Sequence, residues 1–78
     1  MIDKNSVLSC SARDYIDSRG KMMEDYVFFG VHSNFGALEE IIRDAPQGAE
    51  VIVDYRHEMT ISQGHSVHHQ FGTALVLK

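Results

Sequence analysis

From Glu50 onward the chain alternates. Val51, Val53, Tyr55, His57, Met59 and Ile61 are separated by Asp54, Arg56, Glu58 and Thr60. A period of two sends successive side chains to opposite faces, so the pattern predicts a strand with one packed side. A second run from Val67 to Val76 follows the turn residues Ser62-Gln63-Gly64-His65-Ser66, so residues 48–78 read as a long antiparallel hairpin. A three-residue loop, Gln63-Gly64-His65, sets Ser62 opposite Ser66, Met59 opposite His69, His57 opposite Phe71, Tyr55 opposite Thr73 and Val53 opposite Leu75. That register gathers the large apolar residues on one face. A two-residue loop, which sets Arg56 against Phe71, mixes polar and apolar residues unless a bulge restores the phase.

Upstream, Tyr26-Val27-Phe28-Phe29-Gly30-Val31 is a short apolar run that predicts a strand buried on both faces. Gly30 within it leaves room for another backbone or a ligand to come close, or simply for packing. Leu38, Ile41, Ile42 and Ala45 recur at helical spacing, with Glu39 and Glu40 early and Arg43 late on the polar side. Ser33-Asn34 offers a cap for this helix and Pro46 a stop. Before Lys21 the pattern is weaker. Residues 6–10 suit a short strand. Ser11 with Asp14 three residues on suits a capped helix ending near Gly20; an extended arm through Tyr15 and Ile16 is the alternative. The expected fold is α+β: one 78-residue β-α-β-β domain, its C-terminal hairpin packed on one helix, with an additional N-terminal strand or helix.

Composition narrows the partners. The formal net charge is -4 and the seven Lys and Arg residues are scattered, which argues against nucleic acid. No apolar run reaches the roughly 18 residues of a membrane span, and the first residues do not resemble a signal peptide, so the expected location is the cytoplasm. The lone Cys10 leaves no internal disulfide. It reads as a small buried hydrophobe, and Met22-Met23 as packing residues. A chain this short has a modest core, for which homo-oligomerisation is a natural supplement.

Four of five histidines lie in the hairpin. His65, His68 and His69 cannot share one ion within a straight strand. His65 and His69 would be roughly 13 Å apart at about 3.3 Å per residue, and His68 would face the other way. In the three-residue-loop register His57 and His69 are diagonal neighbours on one face, about 7–8 Å apart. With Met59 and Tyr55 nearby they form a candidate site for a transition metal ion such as zinc, copper or nickel, a third ligand coming from elsewhere or from another subunit. The competing reading is two half-buried histidines at the wet end of a sheet. Asp54, Arg56 and Glu58 read as a solvated strand face. Tyr55 and Gly30 are the candidate ligand-binding residues. No nucleophile elbow, phosphate loop or dinucleotide fingerprint occurs.

Gly48-Ala49-Glu50-Val51-Ile52-Val53 after a helix, Gly72-Thr73-Ala74-Leu75-Val76 near the end and, more loosely, Phe29-Gly30-Val31 before the helix resemble the YbjQ-like family of small proteins. That family is described as heavy-metal-binding. The resemblance covers the last two-thirds of the chain. It departs in a shorter helix interrupted by Pro46 and in an unmatched first twenty residues. It implies a compact α/β subunit assembling into a ring-like homo-oligomer and carries over no ligand set. Three functions remain open: a self-associating, non-catalytic domain binding a metal or small ligand; a structural or interaction module using the closing strand as a sheet edge; and an enzyme with His57 or His69 as general base beside Tyr55.

Overall fold

The computed structural model describes residues 2–78. Its elements are helix α1 (Ala12–Ser18), strand β1 (Tyr26–Ser33), helix α2 (Leu38–Asp44), strand β2 (Ala49–Ser62) and strand β3 (His65–Leu77). Short 3-10 turns cover Lys4–Ser6 and Met23–Asp25. The sheet runs β1-β3-β2, and β3 is antiparallel to both neighbours. The α+β architecture therefore holds. The N-terminal segment adds a helix, and each face of the sheet carries one helix. Ala12 and Ile16 of α1 pack on Tyr26, Val51, Val53 and Leu75. Ile41 of α2 packs on Val31, Ala49, Ile52 and Ala74 on the opposite face.

Helix α1 begins as its capping residues predict: Ser11 Oγ accepts from the Asp14 N–H at 3.1 Å. Gly20, with φ 69°, follows its end. Helix α2 is shorter than the apolar spacing suggests, and Ser33-Asn34 does not cap it. Ser33 Oγ instead accepts from the Phe35 N–H, and the residue preceding the helix is Ala37. The entry to α2 is tied down from β3, where the fully buried Gln70 donates through Nε2 to the carbonyls of Phe35 and Ala37. Ala45 is extended before Pro46, as the proline ring requires.

The hairpin register differs from the expected one. The loop has two residues, Gln63 and Gly64, both at positive φ (51° and 79°), and Ser62 faces His65. Backbone twist explains the choice, because a two-residue loop with both φ positive matches the right-handed twist of the strands. Consequently Arg56 faces Phe71, His57 faces Gln70 and Met59 faces His68. A bulge at Asp54-Tyr55 then shifts the phase, so that Val53 faces Thr73 and Val51 faces Leu75 over the core. Asp54 has φ 56°. The N-terminal segment holds this bulge. The Asp54 N–H donates to Cys10 O at 2.8 Å and the Tyr55 N–H to Leu8 O at 3.0 Å, while Leu8 N–H donates to Ile52 O. Val7 makes a parallel bridge to Ile52.

Two further expectations are corrected. β1 is not buried on both faces: Val27, Phe28 and Phe29 are 38%, 40% and 41% exposed, because β1 is an edge strand. The closing strand β3 is central where β1 pairs with it, from Gln70 to Leu77, and is an edge only at residues 65–69. Beyond the bulge β2 and β3 project as a two-stranded arm, and the molecule measures 46 × 21 × 19 Å. Among the described residues no helix is long and apolar enough to cross a membrane.

Candidate functional site

The register separates the expected metal pair. His57 shares a face with Gln70 and His68, whereas His69 faces Glu58 on the other side of the sheet. The cause is the two-residue loop, which moves every residue of the arm by one position relative to the predicted pairing. Instead His57 Nε2 lies 2.9 Å from His68 Nδ1, and it is His68, not His69, that faces Met59. Gly36 abuts the His68 ring, which a Cβ at position 36 would meet at 3.3 Å. On the other face the His69 ring stacks with those of His32 and Phe71, whose own rings are tilted with centroids 5.0 Å apart. Among the described residues no group of three or more His, Cys, Asp or Glu side chains is placed to hold a metal ion.

On the α1 face, beside the bulge, lies an open cleft of about 740 Å³ bordered by Gly30, His32, Asp54, Arg56, Phe71 and Thr73. Of the two candidate ligand residues, Gly30 contributes an open floor, since a Cβ built there meets nothing within 4 Å. Tyr55 also borders the cleft, but its hydroxyl donates to Gln70 Oε1 at 2.6 Å and its ring packs with the α2-side core. The Arg56 guanidinium sits 5.3 Å from the Phe71 ring centroid and makes no ion pair among the described residues. Asp54 Oδ2 accepts from the Ala12 N–H at 3.4 Å.

A separate polar cluster lies at the foot of the sheet. Glu50 Oε2 accepts from the hydroxyls of Tyr15 and Tyr26 at 2.5 and 3.3 Å, with Arg19 Nε 3.9 Å away. Burial, then the hydrogen bond and charge of Glu50, push the Tyr15 phenol up to about 12. Burial and the Glu50 charge raise Tyr26 as well. These phenols stay protonated donors at neutral pH and tie α1 to the bottom of β1 and β2.

The exposed edge of β1 has a definite hydrogen-bonding pattern. Strand residues turn their N–H and C=O alternately toward one neighbour and the other. The His32 N–H points away from β3, since it donates to Asp44 Oδ2 at 3.1 Å. Gly30 and Phe28, two and four residues earlier, point the same way. The Tyr26 N–H, next in this series, is taken by Met23 O. The edge therefore offers the N–H and C=O of Phe28 and Gly30, bracketed by two donors already in use. No charged residue or proline interrupts β1, although such residues commonly protect edge strands.

Compared with known proteins, the chain matches no protein-family model, no curated protein and no solved structure.

Proposed function

We propose that the protein is a non-catalytic interaction domain that self-associates by adding a strand to the edge of β1. One observation carries this reading: an uncharged, unpaired edge strand exposing Val27, Phe28 and Phe29. Paired backbone groups supply affinity in strand addition and the flanking side chains supply selectivity. The resemblance of residues 48–53 and 72–76 to the YbjQ-like family supports the same reading, because that family implies a homo-oligomer. A cytoplasmic setting, where thiols stay reduced, suits a chain with one cysteine. Sedimentation velocity across a hundredfold concentration range should show a species growing to twice the mass. Phe29→Lys, which sets two like charges into the new pairing, should remove it at least tenfold in affinity. A single monomeric species at every concentration overturns the proposal.

A second reading, binding of a transition metal ion such as zinc, has one observation in its favour, the 2.9 Å approach of His57 and His68. Two imidazoles meet part of a zinc shell, and a second copy or water would complete it. Zinc added to metal-stripped protein should shift the ring resonances of His57 and His68 and spare those of His65 at the hairpin turn. Equal small shifts at all three contradict metal binding here.

A further inference from the structure

We infer that the cleft above Gly30 is a binding site shared by two copies of the chain, closed by Phe28 of the second copy and suited to a flat organic anion. This rests on self-association through β1 and specifies its register.

The register follows from the backbone. Residues with both the N–H and the C=O free sit at Phe28 and Gly30 only, one on each side of Phe29, because the Tyr26 and His32 N–H groups are taken. An antiparallel partner satisfies all of them when Phe28 of each copy faces Gly30 of the other. Phe29 then meets its own counterpart about a two-fold axis. Tyr26 faces His32, whose N–H is already held by Asp44, so the pairing stops there. Four backbone hydrogen bonds form and the result is one six-stranded sheet. A parallel partner, or a shift by two residues, leaves part of this set unpaired, which is costly at a buried seam.

Side-chain direction supports the same pairing. Phe28 and Gly30 lie on the α1 face, where they pair with Leu75 and Thr73. A two-fold axis normal to the sheet keeps both copies' α1 sides on one continuous face. Phe28 of the second copy therefore stands beside Gly30, where a Cβ would meet nothing within 4 Å. The ring of that Phe28 walls the open side of the cleft, opposite Phe71 and His32.

The remaining lining names the ligand class. Two aromatic walls and a glycine floor suit a planar apolar body. Arg56, the cation of this lining, has no carboxylate partner among the described residues and can bind a carboxylate in bidentate fashion. Asp54, the cleft's own acid, is turned to the Ala12 N–H.

The test separates the site from the self-association beneath it. In a Cys10→Ser background, Phe29→Cys should form a disulfide-linked dimer on oxidation, because facing residues of a non-hydrogen-bonded pair are within disulfide reach. Val27→Cys should not. Ready crosslinking through Val27 overturns this register while leaving self-association standing; monomers throughout overturn both. In the Phe29→Cys dimer, benzoate should then shift the amides of Gly30 and Thr73 saturably, with inorganic phosphate and benzyl alcohol at least tenfold weaker. Arg56→Gln and Phe28→Ala should each weaken benzoate at least tenfold. Equal benzoate affinity in the Phe29→Lys monomer, or no saturable shift at Gly30 and Thr73, overturns the shared site.

Discussion

Replacing Gln70 by leucine should cost about 3 kcal/mol or more, a large share of the roughly 4–12 kcal/mol expected at about 0.05–0.15 kcal/mol per residue. Gln70 is fully buried. Its amide nitrogen serves the carbonyls of Phe35 and Ala37, and its oxygen takes the Tyr55 hydroxyl. Leucine fills similar space but leaves the Phe35 carbonyl and the Tyr55 hydroxyl without partners, each costing about 1–3 kcal/mol when buried, while the Ala37 carbonyl keeps only the Glu40 N–H. The midpoint of thermal unfolding should fall by roughly 12 °C or more, at about 4–8 °C per kcal/mol for a domain of this size. Adding Tyr55→Phe removes the orphaned hydroxyl and should return part of the loss. Thermal and urea unfolding of the two variants decide the matter; a Gln70→Leu cost under 1 kcal/mol would mean the α2 entry is held by something else.

Gly72→Ala should be nearly as damaging for a steric reason. A Cβ there would lie 2.6 Å from Ile52 Cγ2 and 3.3 Å from Val53 O. Ile52 is fully buried beneath α2 and cannot swing away, so the backbone must give. Overpacking of this kind costs about 1–3 kcal/mol. In an Ile52→Leu background the branch methyl is gone, and the penalty of Gly72→Ala should shrink by half or more. Equal penalties in both backgrounds, measured by urea unfolding, would exclude the Ile52 contact as the cause.

The glycine also shows what could be read from the chain. Gly72 opens the Gly-Thr-Ala-Leu-Val stretch that suggests a closing strand, and it lies in β3, but its reason is a contact with a strand 20 residues earlier. The hairpin strands and the two helices were legible because they depend on local periodicity, on the Ser11 cap and on the Pro46 stop, whereas the strand expected over residues 6–10 is a 3-10 turn at Lys4–Ser6 and a single bridge at Val7. The hairpin register was not. Apolar alternation constrains the phase only where a face is buried, and from Arg56 to Ser62 every residue of β2 is exposed. There loop twist decides, and the bulge at Asp54 corrects the phase at the core edge, held by Leu8 and Cys10 carbonyls that no local pattern announces. The candidate site shifted accordingly. His57 exchanged His69 for His68, a partner that a two-residue loop places beside it. The apolar run at Tyr26 to Val31 suggested burial, and its exposure became apparent only with the strand order. Gly30 kept its open floor, whereas Tyr55 turned its hydroxyl to Gln70.

Self-association through β1 is tested most directly by amide hydrogen exchange at four adjacent residues. Phe29 and Val31 point their N–H groups into the β1–β3 ladder and should be protected at every protein concentration. Phe28 and Gly30 point outward. Their amides should exchange at nearly the free rate in dilute solution and slow at least tenfold as concentration rises, together and with one midpoint. Exchange at Phe28 and Gly30 that stays fast and independent of concentration, while Phe29 and Val31 remain protected, would contradict pairing at this edge.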